Sequence, residues 1–146
     1  MTDERSAKSE KLTDEVKIVF TPSGRQGNVP AGTTVLQAAR TLGVDIDSVC
    51  GGRALCGRCQ ITPGSGEFAK HGITSGADSL GEVTAVETRY ADKKGLVNGR
   101  RLSCQSLLCG DVVIDVPPES QVHNQLVRKA ADDRQIEMDP ILRLCL

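Results

Sequence analysis

The stretch CGGRALCGRC, residues 50–59, packs three cysteines, three glycines and two arginines into one loop, with no proline, aromatic or acidic side chain among them. Cys50, Cys56 and Cys59 are spaced C-x5-C-x2-C. Iron–sulfur clusters are held by thiolates, and the plant-type two-iron pattern is C-x4-C-x2-C with a distant fourth cysteine. The first gap here is one residue longer. The glycines favour a cluster over a lone ion. Inorganic sulfides are negative and accept hydrogen bonds from backbone N–H groups, so the backbone must approach closely and turn through positive φ. Gly51, Gly52 and Gly57 permit both. Arg53 and Arg58 add positive charge beside such an anion.

A fourth thiolate must come from elsewhere, and Cys104 and Cys109 are the candidates. In a single strand their odd spacing would put them on opposite faces, so only one of them reaches the loop. Spacing does not say which. Cys145, far along the chain, is the remotest candidate.

Other chemistries fit less well. Structural zinc takes two close-spaced ligand pairs, and this chain has one C-x2-C, with His71 and His123 lacking a neighbouring ligand. A thioredoxin-like pair at Cys56 and Cys59 leaves Cys50 and the glycines unexplained. A c-type haem needs histidine where Gln60 stands, and a Rieske centre needs two histidines beside its cysteines.

The rest of the composition narrows the function. A length of 146 residues suits one domain with tails. Phe20, Phe68 and Tyr90 are the only aromatics, so the core must be built from Val, Ile, Leu and Ala. A net charge of −1 and the lack of a dense basic stripe exclude sequence-independent nucleic-acid binding and attraction to an anionic membrane. No apolar run approaches the ~20 residues of a membrane span. The opening MTDERSAKSEKLTDE has no apolar signal region, so a cytoplasmic location is expected, where cysteines serve as metal ligands or free thiols.

Residues 1–15 read as a disordered tail. Val16, Ile18 and Phe20 alternate with Lys17 and Val19 in a strand, Pro22-Ser23-Gly24 turns the chain, and RQGNVPAG returns as a hairpin arm. TTVLQAARTLG predicts a helix capped by Thr33 or Thr34, with Val35, Leu36, Ala39 and Leu42 inward and Gly43 ending it. After the cysteine loop come a short strand around Gln60-Ile61-Thr62, a turn-rich stretch over 63–81, and a helix over 82–95 with Val83, Val86 and Tyr90 on one side. The clearest strand spans residues 111–116, where Val112, Ile114 and Val116 alternate and Pro117-Pro118 closes. This order predicts an α+β fold, a mixed sheet wrapped on one helix. The loose G-x-G-x-x-A of residues 64–69 has no amphipathic helix after it and reads as loop, not as a phosphate site. His71 reads as a solvated loop histidine. Lys70, Arg89, Arg100 and Arg101 form, with Arg53 and Arg58, either a basic docking rim or a solvated charge set. Asp132, Asp133 and Glu137 read as surface.

CGGRALCGRCQ, followed by RRLSCQS and GDVVIDVPPES, resembles the [2Fe–2S] ferredoxin domain, a β-grasp fold. With VDIDSVCGG, GEFAKHGIT and IDVPPESQVH it resembles, more narrowly, the N-terminal domain of the reductive activators of corrinoid-dependent methyltransferases. The likeness covers about residues 16–123. It implies a [2Fe–2S] cluster on Cys50, Cys56, Cys59 and Cys104, with Cys109 an extra thiol. It implies a ferredoxin-type domain over 16–118, with 119–146 a linker or the start of a further domain. In that family an ATP-binding domain follows, and none is contained in these residues. The expected function is one-electron transfer, as a carrier and not an enzyme, from a reductase to a corrinoid protein. A stand-alone ferredoxin serving an oxygenase and a zinc-binding structural module are the alternatives.

Overall fold

The computed structural model of the chain describes residues 14–121. Of the N-terminal tail expected over 1–15, residues 1–13 lie outside the described residues, as do the segment 122–146, His123 and Cys145, whereas Glu15 already belongs to the first strand. In chain order come β1 (Glu15–Thr21), β2 (Gln26–Pro30), α1 (Val35–Thr41), β3 (Gln60–Pro63), β4 (Gly66–Phe68), β5 (Ile73–Ser75), α2 (Ala85–Lys94), β6 (Arg101–Leu102) and β7 (Val112–Asp115). Five strands form one sheet in the order β2-β1-β7-β3-β6. β1 and β7 pair in parallel at its centre, Ile18 opposite Val112, and the other pairs are antiparallel. This is the expected α+β, β-grasp architecture.

Burial explains the layers. Val16, Ile18 and Phe20 from β1 meet Val112, Ile114 and Val116 from the β7 segment, and all are buried with Val35, Leu36, Ala38 and Ala39 of α1. Thr34 caps α1 by accepting from the Gln37 N–H at 3.2 Å, which selects it over Thr33. Small alanines on α1 let it lie close to the sheet. Each fully buried Val, Ile, Leu or Phe contributes about 1.5–3 kcal/mol, so this one cluster carries the fold without a large aromatic content.

Three expectations change. The stretch read as turn-rich also holds the β4–β5 hairpin, and it covers the second face of the sheet: Ile73 and Phe68 pack on Val19 and Val113. His71 sits in that hairpin's turn, its carbonyl accepting from Lys17 Nζ at 2.9 Å. The second helix forms, yet its inward face is different. Val83 and Val86 remain 56% and 44% exposed, while Glu87 is 1% exposed. The Glu87 carboxylate accepts from Arg101 Nε at 3.0 Å and from the Leu102 N–H at 2.8 Å. An edge strand with an unpaired N–H and a guanidinium beside it outcompetes the valines for that helix face. Finally, packing continues past Pro118, because Ser120 is buried and its carbonyl accepts from the Asp47 N–H at 2.8 Å.

Candidate metal centre

The loop of residues 50–59 leaves α1 through Val44 and Ile46, both buried, and enters β3 at Gln60. Gly51, Gly52 and Gly57 adopt φ of +67°, +84° and +65°, the left-handed turns that the sequence predicts for them. Ala54 joins them at +55° despite its Cβ. That strain, of the order of 1–2 kcal/mol for a left-handed residue, turns the Ala54 N–H toward the Cys104 sulfur.

The loop wraps onto the turn that follows β6. Gln105 Nε2 donates to the Gly52 carbonyl at 3.2 Å and lies 3.9 Å from Cys104 Sγ. Residues 103–109 are thus not one strand. Cys104 lies in the turn, 7% exposed and facing the loop, and Cys109 is exposed, its N–H donating to the Ser79 carbonyl. Separation by a turn, rather than by strand alternation, is what divides the two thiols.

The four candidate thiols influence one another's ionisation as two pairs, Cys50 with Cys56 and Cys59 with Cys104. Among the described residues no three Cys, His, Asp or Glu side chains converge on a point that could hold a single ion. Two thiolate pairs suit a two-iron centre, in which each iron takes two protein ligands.

Electrostatics at the thiols fit the same group. At Cys50 burial opposes ionisation, but the N–H groups of Leu55, Cys56 and Arg53 and the Cys56 thiol outweigh it and bring the thiol down to about 6. Cys59 is lowered to about 6, first by the Cys104 thiol and against burial, with help from the Cys104 N–H and the Ser103 hydroxyl. Cys104 is pushed strongly up, by its bond to Cys59, by burial and by the Cys59 charge. The Cys59 charge opposes ionisation of Cys104, and a metal ion bound between the two thiolates would offset that repulsion. The buried hydroxyls lacking a hydrogen-bond partner, Ser48 and Ser103, are each within two residues of a candidate ligand. Ser103 faces the Cys59 sulfur. The residues present therefore fit a sulfide-bearing cluster.

α2 closes the loop from outside. Lys94 Nζ donates to the Leu55 carbonyl at 2.7 Å and lies 5.6 Å from the Tyr90 ring centroid. Burial raises the Tyr90 hydroxyl above its ordinary value, and the negative charge at Cys56 and Cys59 adds to this. A Cβ on Gly57 would overlap the Tyr90 ring and hydroxyl, whereas one on Gly51 would meet open space. Gly51→Ala is expected to cost only left-handed strain, about 1–2 kcal/mol. Gly57→Ala must also displace Tyr90, so visible cluster absorption should bleach at a lower temperature in that variant. Equal bleaching temperatures would mean that Tyr90 moves aside freely.

The basic rim expected around the loop is thinner than the sequence suggests. Arg101 is committed to Glu87, and Arg100 pairs with Glu119 at 3.6 Å and Gln60 at 3.3 Å. Arg58 pairs with Asp47 at 3.1 Å, and Arg53 donates to the Cys50 carbonyl at 2.9 Å. Glu87, which holds α2 near the Cys104 turn, escapes sequence reasoning because a lone glutamate on a helix carries no signal of burial.

Residues 18–109 match the family described as 2Fe–2S iron–sulfur cluster binding domain. The Na(+)-translocating NADH-quinone reductase of Neisseria meningitidis contains a polypeptide that is 33% identical over 110 residues, 75% of this chain and 24% of that protein. The chain thus spans about a quarter of the length of that relative. The ISC-like [2Fe–2S] ferredoxin FdxB of Pseudomonas putida superposes with a TM-score of 0.57 at 28% identity, covering 74% of this chain and 97% of that one. A reductive activator for a corrinoid, iron–sulfur protein superposes with a TM-score of 0.54 at 23% identity, covering 74% of this chain and 15% of that one. This last likeness is one of fold.

Proposed function

The chain belongs to the 2Fe–2S iron–sulfur cluster binding domain family, and we propose that Cys50 and Cys56 hold one iron of its cluster and Cys59 and Cys104 the other. The observation that carries this assignment is the pairing of the four thiols. When bound, the cluster supplies reversible one-electron chemistry, and the domain serves electron transfer. The protein's residues do the rest. They present thiolates, direct the N–H groups of Arg53, Leu55, Cys56 and Ala54 at sulfur, and hold the loop against α2. None has to move a proton.

The electron acceptor we favour is a protein-bound corrinoid whose cobalt must be reduced to Co(I). This rests on the flanking text VDIDSVCGG, GEFAKHGIT and IDVPPESQVH, and the fold likeness to a corrinoid activator agrees with it. The near-complete coverage of FdxB favours a second reading, an ordinary ferredoxin that takes electrons from a reductase. Dithionite-reduced protein mixed with a corrinoid iron–sulfur protein in its Co(II) state separates the two. Growth of the Co(I) absorption at substoichiometric carrier, under reductant, supports the first. Reduction of the oxidised protein by a reductase with its own electron donor, with no cobalt reduction, supports the second.

Ser103 offers a local check. Its buried hydroxyl has no hydrogen-bond partner and favours ionisation of the Cys59 thiol, so it is free to donate to sulfur once a cluster is bound, and a donor there stabilises the reduced, more negative state. Removing a bond worth about 1 kcal/mol corresponds to roughly 40 mV for one electron. Ser103→Ala is therefore expected to lower the midpoint potential by about that amount in a redox titration. An unchanged or higher potential would rule out the hydrogen bond.

A further inference from the structure

Beside the cysteine loop lies a shallow hollow of about 180 Å³. Ala54 and Tyr90 line it with Leu55 and Val86, which are 57% and 44% exposed. Arg89, Lys93 and Lys94 complete the lining, three cations with no carboxylate among them. Asp92, also exposed on α2, does not line it. Lys94 is tied to the Leu55 carbonyl, but Arg89 and Lys93 form no hydrogen bond or ion pair among the described residues. Their charge is directed at nothing inside the fold. Leu55 directly precedes the candidate ligand Cys56, and Tyr90 packs on Gly57, so the hollow is continuous with the cluster loop.

We propose that this hollow is the docking face for an acidic protein, the electron-transfer partner. Its carboxylates pair with Arg89 and Lys93, and its apolar side chain covers Leu55 and Val86. The inference rests on the reading of the chain as an electron carrier. The physical case is charge complementarity: unpaired cations around an apolar centre repel a basic partner and steer an acidic one, while the apolar contact slows its release. The chain's net charge of −1 would not itself attract an acidic surface, so the local field must do so.

Voltammetry of the full chain on gold coated with a carboxylate-terminated or an amine-terminated monolayer tests this, the carboxylate layer standing in for the acidic partner. The wild type is expected to exchange one electron with the carboxylate layer at least tenfold faster than with the amine layer. Arg89→Glu with Lys93→Glu should abolish that preference. Arg25→Glu with Arg40→Glu, the same change in net charge at residues outside the hollow, should keep it. Loss of the preference in both double variants, or none in the wild type, overturns the docking face. A dimer in gel filtration that Arg89→Glu with Lys93→Glu dissolves would give the hollow to a second copy and also overturn it. The visible spectrum and a dithionite titration of each variant keep the two readings apart. A wild type that takes up no electron in solution refutes the carrier, whereas one that titrates normally without the preference refutes only the docking face.

Discussion

Cys104→Ser is expected to yield protein with little iron or sulfide and no visible cluster absorption, while Cys109→Ser retains wild-type levels of both. Cys104 is 7% exposed, bonded to Cys59 and approached by the Ala54 N–H and the Gln105 amide. Cys109 is exposed beyond the turn, with its sulfur beside Gly81. Serine offers a harder oxygen that ionises far less readily than a thiol, and iron–sulfur centres select soft thiolates. The buried position also makes it difficult for another residue to take over. Iron and sulfide analysis after anaerobic purification reads the result directly. Retained cluster in Cys104→Ser together with loss in Cys109→Ser would reverse the assignment of the fourth ligand.

The buried ion pair between α2 and β6 should produce the largest stability effect outside the cysteines. Arg101 contacts both Glu87 oxygens and the carbonyls of Gly81 and Glu82, so it ties the start of α2 to the strand that leads into Cys104. Arg101→Met leaves the Glu87 carboxylate, 1% exposed, with the Leu102 N–H but no countercharge. Breaking one side of such a pair costs about 3–5 kcal/mol. At about 4–8 °C per kcal/mol for a domain of this size, the thermal midpoint should fall by more than about 10 °C. Glu87→Gln combined with Arg101→Met removes the stranded charge while the Gln carbonyl can still accept from Leu102. The double variant should therefore be more stable than Arg101→Met alone, as read by circular dichroism melts. A drop of only a degree or two in Arg101→Met would mean that the pair behaves as a solvated surface bridge.

Much of this protein is legible in one dimension because its signals are local. The alternation of Val16, Ile18 and Phe20, the Thr34 cap, and the glycines at positive φ in the cysteine loop each depend on neighbours within a few residues. The thiolate spacing likewise carries its own chemistry, and three of the four candidate ligands are apparent from it. Side-chain partners drawn from distant parts of the chain are not visible in the same way. The β4–β5 hairpin is hidden in the sequence because its two anchors, Phe68 and Ile73, gain their meaning only against Val19 and Val113 on the far strands. Val86 follows a helical apolar spacing yet faces outward, because Glu87 finds a guanidinium and a free N–H on β6.

Fold class, the sulfur-rich loop and the kind of group that loop can hold are therefore written in the order of residues alone. Other properties exist only once the chain has folded: the placing of Cys104 beside Cys59, the exposure of Cys109, the fate of Arg100 and Arg101, and the unpaired charge of Arg89 and Lys93. The difference is one of range. Backbone propensity and ligand spacing act over a few residues, whereas burial and charge pairing act through space, between groups that lie far apart along the chain.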